Sequence, residues 1–430
     1  MRRFCIRLAL LGTLVTAGCG ADIRTTGDVT VDLADVRRTI DGFGAADAFE
    51  SVPLNAAQAS LLWDPTNGIG LSLLRVGIDW NGNPLGMAAY GDARSASQFG
   101  VRVWASPWSP PSGDKSNGSI VNGGTLDSDA YASWATTLAT FAGNFQKNTG
   151  APLYALSAQN EPDFVAKWPS CIYTGPQMVE FVKVLGPMLH ALDPPVKLLA
   201  PEPDGWDRLW GGADRFGHAI LEDPDASTAV DIMATHDYGH MNDSDTGRPT
   251  PPPGMAQPLW ETEVSDETAP DPDIAHGIRV ATWIHAAIVN GGASAWHYWW
   301  LISGPSDGQG LLLNGGDTTN TPKRLYTVGN FSKFVRPGFS YVGTSGSPPS
   351  NVLISAYANP YGQPVIVAIN GGSSLATVTI HLSGGADISA VTPYLTSADA
   401  NLEAQPDLAV STGEVTATLD GQTVTTFVGH

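Results

Sequence analysis

Two glutamates in this 430-residue chain stand among polar residues where apolar segments end. One lies in Gln159-Asn160-Glu161-Pro162, and the other closes Trp260-Glu261-Thr262-Glu263. A facing pair of carboxyl groups can hydrolyse a glycosidic bond, because one protonates the leaving oxygen while the other attacks the sugar carbon or activates a water. An isolated Asn-Glu-Pro tripeptide is a weak signal, and Glu261 could equally be a salt-bridged rim residue. The elements that position the glutamates therefore decide the interpretation.

Eight short apolar runs recur along the first 300 residues, with helical patterns between several of them. Strands that alternate with helices in this way are typical of an α/β fold, the closed parallel (β/α)8 TIM barrel. Functional residues of such a barrel lie at the carboxyl ends of its strands. Glu161 follows the fourth run and Glu263 closes the seventh, so both are predicted to face one mouth. The runs are residues 42–46, 73–79, 101–106, 153–159, 196–200, 231–236, 258–263 and 294–300.

Three segments between the runs are predicted to be helices. Apolar residues spaced three and four apart line one face from Tyr131 to Phe145. A second helix is expected to begin at Thr174, where Gly175 and Pro176 follow. The third is predicted over residues 273–290.

The pattern changes after about Gly338, where short β-branched segments separated by Gly, Ser, Asn and Pro replace helical spacing. Alternation of apolar and polar residues at 352–358, 364–370, 376–382 and 424–428 predicts an antiparallel β-sandwich. Residues 28–33 also read as a strand that could add to this sheet. The predicted division is therefore a barrel at 40–335 and a smaller side domain from 26–39 plus 336–430.

The first 21 residues are predicted to be an export signal. Arg2, Arg3 and Arg7 precede an apolar stretch that is too short to span a bilayer. The stretch ends in small residues before Cys19, which resembles a bacterial lipoprotein signal, although free secretion is the alternative. Cys171 is then the only cysteine that must lie in the mature fold, so no internal disulfide is expected.

The composition excludes several classes of function. Lys+Arg 22 against Asp+Glu 42 gives a net charge of −20, and such a surface repels nucleic acids. The 42% hydrophobic content excludes a disordered chain. Few charges and 13 tryptophans favour a polar but neutral partner, and carbohydrate is the first candidate. His-Glu-x-x-His and paired cysteines are both missing from the sequence, so neither a metal nor a cofactor is expected. We expect a monomer.

Several longer motifs resemble glycoside hydrolase family 30, in particular its secreted xylanases. They occur in the order that the family shows, from about Asp28 to the C-terminus. The resemblance implies a (β/α)8 barrel fused to a β-sandwich that both ends of the chain build. The motifs are Ile40-Asp-Gly-Phe-Gly44, Trp104-Ala-Ser-Pro-Trp-Ser-Pro-Pro111, Tyr154-Ala-Leu-Ser-Ala-Gln-Asn-Glu-Pro-Asp163, Ser170-Cys-Ile-Tyr173, His236-Asp-Tyr238, Trp260-Glu-Thr-Glu263 and Lys323-Arg-Leu-Tyr-Thr-Val-Gly-Asn-Phe-Ser-Lys333.

The same resemblance implies roles for individual residues. Glu161 would be the general acid/base and Glu263 the nucleophile of a retaining double displacement, with carboxyl groups about 5 Å apart. A second charge beside an ionised Glu263 is disfavoured, so Glu161 is expected to keep its proton at neutral pH. Arg75 resembles the buried arginine that holds the nucleophile ionised, although an ordinary buried ion pair is the alternative. Asn160 would bind a sugar hydroxyl, and Tyr238 would bond Glu263.

Tryptophans can form the walls of a sugar cleft, because an indole face stacks on the apolar face of a pyranose. Trp108, Trp206 and Trp299 are the candidates, since they end strands or follow them. Trp134 and Trp283 fall on helix faces and are predicted to be core.

Two histidines, His236 and His297, could contact a ligand in the same cleft. His236 is a candidate substrate-binding residue, whereas His297 is better explained as a structural histidine.

One departure from the family bears on the substrate. The glucuronoxylan-specific branch carries Tyr-Ile-Arg-Arg after its eighth strand, where an arginine binds the glucuronic acid branch; here the stretch is Trp300-Leu301-Ile302-Ser303. The prediction is an endo-acting β-1,4-xylanase that does not require this decoration, acting on xylan or a related plant cell-wall polysaccharide.

Two alternatives stay open at this point. The same machinery could act on a β-1,6-glucan, a β-1,6-galactan or a glucosylceramide. A non-catalytic glycan-binding surface lipoprotein is the second alternative.

Overall fold

The computed structural model describes residues 25–240, 246–266, 271–304, 308–313 and 315–430. The predicted export signal at 1–21, with Cys19, lies outside the described residues. Within the described part, no helix combines the length and the apolar character that crossing a membrane requires.

Strand β1, Thr25–Thr39, precedes a closed sheet of eight parallel strands. The last of these strands pairs with both the first and the seventh, which closes the barrel. The predicted parallel barrel is confirmed, and all eight predicted runs contain a strand. The barrel strands are Gly42–Ala46 (β2), Leu73–Ile78 (β3), Arg102–Pro107 (β4), Ala155–Ser157 (β5), Lys197–Pro201 (β6), Ile232–His236 (β7), Leu259–Glu263 (β8) and Ala295–Ile302 (β9).

Helices cover the outside of the barrel, and their ends follow from local sequence. The Thr174 side chain accepts from the backbone of Gln177, whose own side chain accepts from the backbone of Thr174, a capping box that starts the second predicted helix. The third predicted helix is α-helical over Ile274–His285 and continues as a π-helical turn over Ala286–Asn290, so the helical segment ends where it was predicted to end. The helices are Ala56–Trp63 (α1), Ala89–Ser97 (α2), Tyr131–Thr149 (α3), Gly175–His190 (α4), Trp206–Trp210 (α5), Phe216–Glu222 (α6), Pro224–Ala229 (α7), Ile274–His285 (α8) and Lys323–Ser332 (α9).

The inside of the barrel is filled by side chains, including Trp104 and Trp260, whose rings meet edge to face with centroids 6.1 Å apart. His297 lies against both indoles, accepts from Trp104 Nε1 at 3.0 Å and contacts the Glu261 carbonyl at 2.9 Å. Burial lowers the pKa of His297 to about 3. It is therefore a neutral core histidine, and Trp134 and Trp283 are likewise buried in the core.

The second domain is a curled sheet that β1 shares with the C-terminal strands. Strand β10, Gly310–Leu312, extends the barrel sheet beside β9 before the chain enters this domain. Most pairs are antiparallel as predicted, but β1 also pairs in parallel with the strand Ala376–Ser383, and β1 is longer than the predicted strand. The remaining strands are Ser340–Ser347 (β11), Val352–Ala358 (β12), Pro364–Asn370 (β13), Ala376–Ser383 (β14), Ala390–Thr396 (β15), Glu403–Ala404 (β16), Leu408–Ala409 (β17), Glu414–Leu419 (β18) and Thr423–Gly429 (β19).

Candidate active site

Glu161 follows β5 at the carboxyl end of the barrel, and its backbone adopts a left-handed conformation with φ of 45°. Its N–H donates to the Glu202 carbonyl at 3.0 Å, which helps hold this strained turn. Glu263 is the last residue of β8 at the same end of the barrel. A left-handed backbone in a non-glycine residue is costly and is concentrated at functional sites. The fold thus presents both predicted glutamates to one mouth.

The two carboxyl groups lie close together with His236 between them. Ligand atoms of Glu161, His236 and Glu263 all lie within 4.8 Å of one another. Inverting glycosidases separate their carboxyl groups by roughly 6.5–9.5 Å to admit a water, whereas retaining enzymes use about 5 Å. The spacing matches the retaining geometry, in which one carboxylate can reach the sugar directly.

Arg75 on β3 is buried beneath the mouth and forms ion pairs with Glu263 and, at 2.8 Å, with Glu202. It also donates to Asn160 Oδ1. Burial alone would lower the pKa of Arg75, but the Glu202 and Glu263 carboxylates raise it above its usual value. The guanidinium therefore stays charged and acts as a fixed cation beside Glu263.

His236 is not on the cleft surface, which corrects its prediction as a substrate-binding residue. Its ring is fully buried, and Nδ1 lies 3.3 Å from Glu161 Oε1 while Nε2 lies 3.7 Å from Glu263 Oε2. Burial disfavours the charged ring, but the carboxylates of Glu263, Glu161 and Glu202 raise the pKa of His236 to about 10. His236 is thus a second cation under the two glutamates.

Glu202 is a site residue that sequence reasoning missed. It follows β6, is fully buried, and accepts from Ser106 Oγ at 2.7 Å in addition to pairing with Arg75. Burial acts to raise its pKa, but Arg75 and His236 lower it below the ordinary value. The signal was available, because Glu202 stands two residues beyond the fifth apolar run, at a strand end.

The buried charged groups beneath the cleft comprise two cations and two carboxylates. Arg75 and His236 oppose the carboxylates of Glu202 and Glu263. Burial raises the pKa of Glu263, while His236 and Arg75 act in the opposite direction. Tyr238 donates to Glu263 Oε1 at 2.8 Å and favours the ionised form further.

Glu161, His236 and Glu263 also have the donor types of a small metal site. Arg75 and the protonated His236 already supply the positive charge there, and a protonated imidazole cannot ligate a metal. The residues therefore fit a metal poorly, and the expectation of no metal stays a prediction.

A cavity of about 720 Å³ opens above the two glutamates. Trp108 and Trp299 line it with ring centroids 5.9 Å apart, and Asn160 and Tyr238 line it as well. Asn160 Nδ2 lies 3.5 Å from Glu161 Oε2. The lining residues are Phe49, Trp108, Asn160, Glu161, Phe164, Trp168, Asp204, Tyr238, Glu263, Trp299, Trp300 and Gln309. Their chemistry, aromatic faces with a few polar groups, suits a sugar chain.

Trp206 does not line this cavity, which corrects its prediction as a cleft wall. Its indole is fully buried at the start of α5 and donates to Glu261 Oε2 at 3.3 Å. Sequence reasoning missed Phe49, Phe164 and Trp168, although large aromatics in loops after strands carried a signal. These three are partly exposed and face the cleft.

No arginine or lysine is among the described residues that line the cavity. At the position where the glucuronoxylan-specific branch has its charged motif, Ile302 and Ser303 are buried. The described cleft thus offers aromatic and acidic groups but no cation to an acidic branch.

Models of known protein families match both domains of this chain. A model of the glycosyl hydrolase family 30 TIM-barrel domain matches residues 88–250, and one of the family 30 beta sandwich domain matches residues 340–427. Glucuronoxylanase XynC of Bacillus subtilis is 32% identical, over 99% of this chain and 98% of its own length.

Two solved structures are similar over nearly the whole chain. A family 30 subfamily 8 xylanase from Clostridium acetobutylicum has a TM-score of 0.80 at 32% identity, over 94% of this chain and 99% of that one. A family 30 endoxylanase from Clostridium papyrosolvens has a TM-score of 0.78 at 29% identity, over 94% and 100%. The chain therefore belongs to glycoside hydrolase family 30 and is a retaining glycosidase that hydrolyses O-glycosyl bonds.

Proposed function

We propose that the protein is a retaining endo-β-1,4-xylanase that uses Glu161 as acid/base and Glu263 as nucleophile. The observation that carries the proposal is the close pair Glu161 and Glu263 at one mouth, with Arg75 bonded to Glu263. The similar proteins named as xylanases support xylan as the substrate class. The aromatic lining of the cleft suits a neutral sugar chain.

Hydrolysis proceeds in two displacements. In the first, protonated Glu161 gives its proton to the glycosidic oxygen while Glu263 attacks the anomeric carbon, and the leaving sugar departs as an alcohol. In the second, Glu161 takes a proton from water, the water oxygen attacks the same carbon, and Glu263 leaves as a carboxylate. Two inversions give net retention of configuration.

The contacts of the buried cations support these roles of Glu161 and Glu263. Arg75 and Tyr238 bond Glu263 and favour its carboxylate form. His236 contacts Glu161 Oε1, which leaves Oε2 for the catalytic proton.

The substrate need not carry a glucuronic acid branch. No basic residue is among the described lining residues of the cleft, and Ile302-Ser303 replace the charged motif. Purified enzyme should therefore release products from linear xylooligosaccharides and arabinoxylan as well as from glucuronoxylan. Products with one fixed glucuronic acid position, together with intact unbranched xylan, would overturn this proposal.

Two controls separate the alternatives. A reducing-sugar panel that includes β-1,6-glucan, β-1,6-galactan and glucosylceramide tests other glycans, and preference for one of them would replace xylan. Glu263→Ala should abolish turnover while xylan binding is retained, because the nucleophile is lost but the aromatic cleft remains. If wild-type protein bound xylan with no turnover, a binding protein would be favoured.

Export, with a lipid anchor at Cys19, is part of the proposal and rests on the N-terminal sequence alone. Fatty-acid labelling of the full chain in a bacterial host should mark the wild type and not Cys19→Ser. Equal labelling of both, or of neither, would exclude the anchor and leave free secretion.

A further inference from the structure

Asp204 lies on the wall of the catalytic cleft but has no part in the two displacements. It follows Glu202 by two residues, is half-buried, and lines the cavity together with Phe164, Trp168 and Tyr238. Carboxylates in a sugar cleft accept hydrogen bonds from hydroxyl groups. Asp204 is therefore a polar group that faces the substrate without reacting.

A second carboxyl group, Asp163, holds Asp204 in place. Asp204 N donates to Asp163 Oδ1 at 3.0 Å. Tyr238 N donates to the Asp204 carbonyl at 3.2 Å, which ties the same turn to the nucleophile's partner. Arg208 lies on the outer side, with Nε 3.8 Å from Asp163 Oδ2 and its side chain 58% exposed.

Asp163 keeps its proton under mildly acidic conditions. Burial and the neighbouring Asp204 carboxylate raise the pKa of Asp163 to about 7. Below that pH Asp163 is neutral, so it places no second charge beside Asp204. The Asp163 side chain is only 7% exposed and acts through Asp204 rather than on the substrate.

We propose that Asp204 selects unsubstituted sugar units at its place in the cleft, by accepting a hydroxyl hydrogen bond and repelling a uronate branch, with Asp163 as its positioning residue. The inference rests on the proposed xylanase function and names a specificity determinant for it. A carboxylate attracts a neutral hydroxyl donor and repels another carboxylate. The described cleft lining holds no cation that would offset this repulsion.

The neighbouring rings complete the subsite. Phe164 and Trp168 line the same cavity as Asp204, with ring centroids 6.0 Å apart and planes tilted by 34°. The two rings offer apolar surface to the face of the sugar, while Asp204 accepts a hydrogen bond from a hydroxyl group at the edge of the sugar. A branch attached to that sugar hydroxyl would remove the O–H group that donates to Asp204.

The test compares Asp204→Asn with wild type on linear xylooligosaccharides and on the same oligosaccharides with uronate branches. Asparagine keeps the shape and removes the charge. We expect kcat/KM on linear substrate to fall about 10-fold through KM, because a charge-assisted hydrogen bond is lost. Activity on branched substrate should rise relative to linear, and product mapping should show new cuts beside a uronate.

Asp207→Asn is the matched control, because Asp207 is 77% exposed, lies outside the cleft lining and changes the net charge equally. It should leave the branched-to-linear ratio unchanged. The inference fails if Asp204→Asn and Asp207→Asn have the same ratio of kcat/KM on branched substrate to kcat/KM on linear substrate, while the wild-type enzyme hydrolyses linear xylan. No hydrolysis of linear xylan by wild type would instead overturn the proposed function.

Asp163→Asn tests the positioning role separately. Asparagine is neutral, as the protonated Asp163 is, and its amide oxygen can still accept from Asp204 N, so selectivity at pH 6 should match wild type. Above pH 7 wild-type Asp163 becomes a carboxylate beside Asp204, with Arg208 on its outer side, while Glu161 and Tyr238 line the same cavity as Asp204. The wild-type KM for linear substrate should then rise while that of Asp163→Asn stays flat. Parallel KM profiles would exclude Asp163 as the positioning residue.

Discussion

Arg75 and Glu202 form an ion pair of 2.8 Å in which neither side chain is exposed to solvent. The pair joins the middle of β3 to the end of β6 beneath the cleft, and the same guanidinium also contacts Glu263. An arginine shared by two carboxylates is held from both sides, so its orientation toward Glu263 is fixed before substrate binds. Arg75 is thus a buried ion-pair residue and at the same time a contact of Glu263, the proposed nucleophile.

Glu202→Gln should destabilise the fold and slow catalysis, although Glu202 does not touch the substrate cavity. Loss of one carboxylate leaves two buried cations with a single anionic partner, and breaking a buried pair costs about 3 kcal/mol. Denaturant unfolding and kcat on linear xylan measure both effects. Ser106→Ala, which removes only the hydroxyl donor to Glu202, should cost about 1 kcal/mol. Wild-type stability in Glu202→Gln would contradict this account.

Tyr238→Phe should reduce turnover with little change in the fold. The phenol donates to Glu263 Oε1 at 2.8 Å, and a hydrogen bond to a charged group is worth about 10- to 100-fold in rate. Its loss disfavours the ionised carboxylate, so the acid limb of the pH–rate profile should move to higher pH.

The control for this change is Tyr361→Phe, at a tyrosine that is 83% exposed in the second domain and should behave as wild type. A Tyr238→Phe profile that coincides with wild type would mean that the hydroxyl does not support Glu263.

The sequence predicted the barrel and its two glutamates because the information is local: apolar runs mark strands, and the residues after them mark the mouth. Glu202 was not predicted because it lies two residues beyond the fifth apolar run, which ends at Ala200. Trp206 was misplaced for a different reason, since its position after a strand does not reveal whether the indole turns outward or into the core. The parallel pairing of β1 with β14 joins segments about 350 residues apart, and no local pattern encodes such a partner.

Trp206 and Trp299 should respond differently to substitution, because one is core and the other is cleft. Trp206→Phe removes buried volume and leaves Glu261 Oε2 without its indole donor, so a loss of about 2–4 kcal/mol in unfolding free energy is expected. Its KM for xylan should not change.

Trp299→Ala should instead raise KM about 10-fold, because the ring supplies part of the sugar-stacking surface. Thermal unfolding and KM, measured on both variants, distinguish the two roles. A raised KM in Trp206→Phe at unchanged stability would restore Trp206 to the cleft.

The thermal stability of the protein should fall as pH rises from 5 to 10, in two steps with separate origins. Asp92 on α2 is buried and accepts from Leu54 N at 2.7 Å, and burial raises its pKa to about 7. The folded state therefore keeps a proton between about pH 4 and 7 that the unfolded chain releases, so stability is lost across that window. The raised pKa of Asp163 also makes the stability of the fold decrease as pH rises toward 7.

His236 supplies the second step. Its pKa is about 10 in the fold, against about 6.5 in an unfolded chain, so its contribution is complete below pH 6.5 and is lost as pH approaches 10. Asp92→Asn should make the melting temperature less dependent on pH between 5 and 7 and leave the fall above 7 intact, because only the carboxyl step is removed. The exposed Asp387→Asn should reproduce the wild-type curve. If Asp92→Asn kept the full slope below pH 7, the buried carboxyl would not be its source.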